Sequence, residues 1–291
     1  MQPRKRRAGT PAPASTIWKI SALVLVSIFT ILLVGGTVSL SKLGLEPWRF
    51  YLNVANPNVT FVSIQAGLRK EQIAEILSKQ LSWPESEKGA FMAAAAKRDK
   101  QNPEGVFLPG NYWVYKTATG EQVANQMIDA FYSKVKQNIL NKDQTNFKDK
   151  MNLATAVKIA SILQREAAGP EDMKIISGVI WNRLFRGMTL DMDATLQYSK
   201  GAPGDWWPKV ASSDKRLESQ FNTYKFKGLP PTAIANPSLD ALYAAYNPSS
   251  TDCIFYIHDA KRNFHCSVTY EEHKQNISTY LIGKKPTPSS L

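Results

Sequence analysis

Residues 154–169 read ATAVKIASILQREAAG. Ile159, Ile162 and Leu163 recur at helical spacing, so the stretch reads as a helix with one apolar stripe against a core. Glu166 stands at i+4 from Ile162 and i+3 from Leu163, on that same face. A carboxylate placed there loses water unless it is paired, and lost hydration favours its protonated form. Such a glutamate can hold a proton near neutral pH and donate it. Periodicity alone leaves a second reading open, in which Glu166 ends the helix in water, paired with Arg165 or Lys158.

The chain around this stretch has 291 residues, 43% hydrophobic and 21% charged. This is ordinary globular composition, with room for a membrane anchor and one large or two small domains. Part of the net charge of +12 is local: Arg4, Lys5, Arg6, Arg7, Lys19 and Lys42 all precede the first acid, Glu46. No dense basic patch interleaved with aromatics follows, so nucleic acid is not an expected partner. The sequence has no CxxC, HExxH, P-loop or GxGxxG. The three histidines (His258, His265, His273) and two cysteines match no usual ligand spacing, so neither a metal nor an organic cofactor is expected.

Between Lys19 and Lys42 lies ISALVLVSIFTILLVGGTVSLS, 22 residues without a charge. That length spans a bilayer as a helix and is long for a cleaved signal, although cleavage after VGGTVS remains open. The basic run before it predicts an amino terminus in the cytoplasm and a body outside, on the cytoplasmic (inner) membrane as a single-pass protein. In that compartment Cys253 and Cys266, which flank CIFYIHDAKRNFHC, can form a cross-strand disulfide if the turn centres near Asp259 and Ala260. Two free buried thiols are the alternative.

Residues 41–57 read as a linker. VTFVSI (59–64) alternates as a strand. RKEQIAEILSKQL carries Ile73, Ile76, Leu77 and Leu81 at helical spacing, and an alanine-rich helix follows over about 85–97. GNYWVY (110–115) is a second strand. Strand, helix, helix, strand in some fifty residues resembles, in order and length, a LysM-type glycan-binding module. Thr119 and Gln122 have capping-box spacing and open a helix whose inner face is Val123, Met127, Ile128 and Phe131. EDMKIISGVIWNRLFRGM predicts a further helix with Ile176, Val179, Ile180 and Leu184 inward. Residues 190–237 read as loop-rich, with many Gly, Pro, Asn and Trp, SLDALYAAYN as helix, the cysteine segment as a hairpin, and YEEHKQNISTYLI as a last short helix.

ASILQREA, GVIWNRLFRGMTLDMDATLQY, FNTYKFKGLPPTAIANPSLDAL and FYIHDAKRNFHCSVTYEEH together strongly resemble the endolytic murein transglycosylases, the YceG/MltG-like family. NTY…GLPPTxIANP is the most specific block. The resemblance covers roughly 58–282 and is strongest over 154–277. It implies a membrane-anchored lyase that cuts peptidoglycan glycan strands, ends strand growth and works with wall-synthesis enzymes. Its catalytic glutamate matches Glu166. The family often has an acid two positions earlier, where this chain has Gln164, which points the chemistry to Glu166 alone. Asp193 matches a position near the cleft. Asn222, Thr223 and Tyr224 offer polar groups and a ring face to a sugar, with loop packing as the alternative. Gly228, Leu229, Pro230 and Pro231 are expected as a rigid cleft wall, since proline fixes φ and glycine permits unusual φ. Asn182 and Arg183 are expected to brace the cleft, and His265 and His273 to be structural. Trp206 and Trp207 have the ring faces to stack on sugars but lie outside the resembling blocks.

The expected architecture is therefore α+β: a cytoplasmic tail (1–16), a transmembrane helix (17–40), a linker (41–57), a LysM-like module (58–116), a mixed catalytic domain with its glutamate on a helix (117–283) and a flexible tail (284–291). Two rival functions remain: a non-catalytic peptidoglycan-binding protein, and a hydrolytic muramidase using Glu166 with Asp193.

Overall fold

The computed structural model describes residues 56–141 and 151–282. The chain divides into two compact units at Pro57 and Asn58, and the second, 58–291, contains nearly all described residues. The expected tail, membrane helix and most of the linker lie outside the described residues, as does the carboxyl-terminal tail. Among the described residues no helix is long and apolar enough to cross a membrane.

Alternation makes the first strand. In β1 (Val59–Ile64), Val62 and Ile64 are buried while Phe61 faces out. It pairs antiparallel with β2 (Gly110–Tyr115), from Val59 opposite Tyr115 to Ile64 opposite Gly110. Between them run α1 (Lys70–Leu81), which buries Ile73, Ala74, Leu77 and Leu81, and α2 (Glu85–Arg98), which buries Phe91, Ala94 and Ala95. Next comes α3 (Gly120–Val135). Its Thr119 hydroxyl accepts from the Gln122 amide, and the Gln122 side chain accepts from the Thr119 amide, closing the capping box. Gly120 touches α2 so closely that a Cβ would lie 2.0 Å from the Glu87 carbonyl oxygen, so no larger residue fits.

Asn152 caps α4 (Leu153–Glu166) by accepting from the Thr155 amide. Ile159, Ile162 and Leu163 are fully buried on its inner face. After three intervening residues Pro170 opens α5 (Pro170–Phe185), where its missing N–H costs nothing. Ile176, Val179 and Ile180 are buried as their spacing predicts, and Leu184 is half-buried against the core.

The stretch 190–237 is loop-rich as expected, with one short helix inside it. Asp193–Lys200 forms α6, two turns long, with the Thr195 hydroxyl bonded back to the Met192 carbonyl. A 3-10 turn, Ser212–Arg216, follows. Ser238 caps α7 (Leu239–Tyr246). Strands β3 (Phe255–His258) and β4 (Phe264–Ser267) make an antiparallel hairpin, followed by α8 (Tyr270–Asn276) and a π turn.

Cys253 and Cys266 form a disulfide. The expected turn position is off, however. Tyr256, not Cys253, pairs with Cys266 in the ladder. The turn centres further on because the Asp259 carboxylate accepts from the Lys261 and Asn263 amides, and Arg262 takes φ 65°. Cys253 reaches its partner from just outside the strand.

The hydrophobic core runs unbroken from the β1–β2 segment through α3–α7. Asn236, fully buried in the ANP segment, stitches these parts together. Its carboxamide accepts from the Leu68 amide (2.6 Å) and donates to the Gln65 and Phe107 carbonyls (both 2.8 Å). Glu104, also fully buried, accepts from Lys70 Nζ (2.6 Å) and from the Tyr198 hydroxyl on α6 (2.8 Å).

Candidate active site

Glu166 is the last residue of α4 and lines a cleft of about 460 Å³. The helix stops there because Ala167 turns extended, so the carboxyl projects from a rigid rod into the cleft. Glu166 Oε1 accepts from the Ala194 amide in the first turn of α6 (3.1 Å). Oε2 accepts from the Tyr256 hydroxyl of β3 (3.0 Å). Burial raises its pKa above the usual 4.5, and the nearby Asp193 charge raises it further. The two hydrogen bonds and His258 oppose this, but desolvation is the largest influence.

The alternative in which Glu166 pairs with Arg165 or Lys158 is not what the structure contains. Arg165 turns away, its guanidinium 3.9 Å over the Trp207 ring and bonded to the Gly67 carbonyl at 3.4 Å. Gln164, at the position where an acid was the family expectation, accepts from the Ser238 amide (3.0 Å) at the start of α7. Its role is to hold two helices together.

The other expected residues separate into those in the cleft and those beneath it. Asp193 and Tyr224 line it, the Tyr224 hydroxyl donating to Asp193 Oδ1 at 2.7 Å. Burial and this acceptor raise the Tyr224 pKa. Asn222 and Thr223, expected to meet sugar, do not reach the cleft. Asn222 is 0% and Thr223 2% exposed. The Asn222 side-chain Nδ2 donates to the Lys215 and Leu217 carbonyls. The Thr223 hydroxyl accepts from the Met192 amide and bonds Thr195 Oγ1. Both fix the loops that carry Asp193 and Tyr224, which is the packing alternative.

Gly228, Leu229, Pro230 and Pro231 are also not among the cleft-lining residues. Gly228 takes φ +92°, Leu229 packs on the core, Pro230 is buried and Pro231 exposed. The block guides the chain from the cleft into the core. Asn182 donates to the Thr251 and Cys253 carbonyls and so anchors the start of the hairpin. Trp206 and Trp207 pack on Arg69 and Arg165, away from the cleft-lining residues.

Three cleft residues carry more than sequence reasoning gave them. Tyr256 touches Glu166 directly. Arg183, 6% exposed, donates to the carbonyls of Ile254, Thr189 and Leu190 and to Asp191 Oδ2 (2.7 Å), tying the hairpin to the segment before α6. His273 stacks on Phe255 with ring centroids 5.1 Å apart. Burial and Arg183 lower its pKa, which favours the neutral ring. The aromatic, β-branched run FYIH signals a strand but not which side chain meets α4. Among the described residues no three His, Cys, Asp or Glu side chains converge as a metal site would.

The arrangement suits proton donation: one partly desolvated carboxyl, two donors to meet its negative charge, and a cleft open to a polymer.

Residues 40–279 match the model of the YceG-like family. The endolytic murein transglycosylase of Streptococcus pneumoniae serotype 2 (strain D39) is 27% identical over 191 residues, 62% of this chain and 33% of its own length. That of Bacillus subtilis (strain 168) is 31% identical over 137 residues, 47% of this chain and 37% of its own. The chain thus spans about a third of the length of these curated relatives. A crystal structure of a yceG-like protein from Listeria monocytogenes superposes with a TM-score of 0.63 at 26% identity, over 74% of this chain and 75% of that one. A match over 240 consecutive positions, with Glu166 and its hairpin partner Tyr256 inside it, means that the chain belongs to the YceG-like family.

Proposed function

We propose that the protein is a membrane-anchored endolytic lytic transglycosylase. It cleaves the bond between N-acetylmuramic acid and N-acetylglucosamine within nascent peptidoglycan strands, outside the cytoplasmic membrane, and so ends strand growth. The observation that carries this reading is Glu166 itself, a cleft carboxyl whose desolvation favours the protonated form and whose two hydrogen bonds favour the anion. Protonated Glu166 donates to the glycosidic oxygen, and the muramyl C1–O bond breaks through an oxocarbenium-like state. The Glu166 carboxylate then takes the proton of the muramyl 6-hydroxyl, whose oxygen bonds to C1 and closes the 1,6-anhydro ring. Glu166 ends protonated again and no water is consumed. The tethered hydroxyl has high effective molarity and replaces an activated water.

The strand–helix–helix–strand order and the antiparallel β1–β2 pair support reading 58–116 as LysM-like. The basic tail and apolar run support the anchor. Partnership with wall-synthesis enzymes rests on the family resemblance.

Asp193 at the same cleft favours one second reading, a hydrolytic muramidase. Its hydrogen bond with Tyr224 suits an electrostatic role better than activation of water. Digestion of purified peptidoglycan in oxygen-18 water separates the two. Anhydro-muramyl ends without the label support the lyase; labelled reducing ends establish hydrolysis.

A further inference from the structure

The Glu166 carboxylate meets two donors of different kinds. The Ala194 N–H is fixed by the first turn of α6 and can only donate. The Tyr256 hydroxyl rotates, and it has two acceptors within reach: Glu166 Oε2 at 3.0 Å and Met192 Sδ at 3.4 Å. Its one hydrogen serves one acceptor at a time. An oxygen that holds a permanent N–H donor is the better carbonyl oxygen of a carboxylic acid, so the acid proton belongs on Oε2, beside Tyr256.

The geometry points to Tyr256 as a hydroxyl switch for the proton of Glu166. It turns its hydrogen toward Met192 Sδ while Glu166 is protonated, and toward Oε2 as the carboxylate forms. This positioning role deepens the proposed reaction and rests on Glu166 being its acid. A hydrogen bond made only as negative charge appears lowers the barrier more than the ground state. A neutral thioether is a weak enough acceptor to give the hydrogen back. Nothing transfers to or from Tyr256. Burial and the adjacent Glu166 charge hold its pKa well above 10.0, so it remains a hydroxyl.

Other charges face Glu166 from each packed element: Asp193 on α6, His258 on β3 (bonded to Asp172 of α5 at 3.0 Å), and Arg165 on its own helix. The Tyr224 hydroxyl also lies within its field. None of these hydrogen-bonds to Glu166, and none changes in the variants below.

The test is a carbon-13 carboxyl titration of Glu166, assigned with Glu166→Gln, in the full chain, for wild type, Tyr256→Phe and Met192→Leu. Tyr256→Phe removes a donor to the anion, so the Glu166 pKa rises. Met192→Leu removes the competing acceptor at nearly constant volume, so the pKa falls. The high-pH limb of activity moves in the same two directions. In Tyr256→Phe, kcat falls about 10- to 100-fold with KM unchanged. Unshifted titrations in both variants, or shifts of the same sign, overturn the switch. If Tyr256→Phe does not fold, the direction in Met192→Leu decides. If wild type makes no anhydro ends, the lyase reading falls, while the titrations still show whether the hydroxyl turns.

Discussion

Burial in the cleft raises the pKa of the Glu166 carboxyl above the usual 4.5. Its folded pKa lies above its unfolded one. The fold is therefore most stable, in this respect, below pH 4.5, and it loses that advantage as pH rises through the folded value. The proposed reaction needs the protonated form, so activity should follow the same direction and fade on the alkaline side. Glu166→Gln keeps the shape without the charge. It should melt above wild type at neutral pH, and the gap should close below pH 4.5, as calorimetry across pH would record. The helical period already put Glu166 on a buried face. It gave no direction for Asn222 or Thr223, because a polar side chain serves sugar or backbone according to which backbone groups the folded loops bring near. Here those are Lys215 and Leu217 for Asn222, and the Met192 amide for Thr223.

Elements with their own signals were legible. The alternation of VTFVSI and GNYWVY, and the Thr119–Gln122 box, correspond to β1, β2 and the start of α3. Thr119→Ala should cost about 1 kcal/mol in urea unfolding, with little change in the cleft. Helix α6 was not legible. It is two turns long, Met192 at its amino end makes no side-chain cap, and glycine and proline surround it. Tertiary bonds hold it instead: Thr195 to Thr223, Tyr198 to Glu104, and the Arg69 guanidinium to the Tyr198 carbonyl. That short helix supplies the amide on Glu166. Its position matters to the chemistry although its sequence barely declares it.

At the scale of the whole molecule, long-range bonds join what the sequence divides. The 58–116 segment shares its core with the rest, and Asn236 fastens it through three side-chain hydrogen bonds. Asn236→Ala leaves the Leu68 amide and the Gln65 and Phe107 carbonyls unpaired, and should cost about 3 kcal/mol by denaturant unfolding. The Cys253–Cys266 disulfide closes the hairpin that carries Tyr256. Reduction should lower stability by on the order of 3 kcal/mol and reduce activity, a loss that reoxidation restores. The central claim remains that Glu166 is the acid that cuts the glycan. Its most direct test is mass spectrometry of purified peptidoglycan after digestion by wild type and by Glu166→Gln, each shown to be folded by its melting transition. The account predicts anhydro-muramyl ends from wild type and a yield roughly 100- to 10,000-fold lower from the variant. Equal yields from both would contradict it.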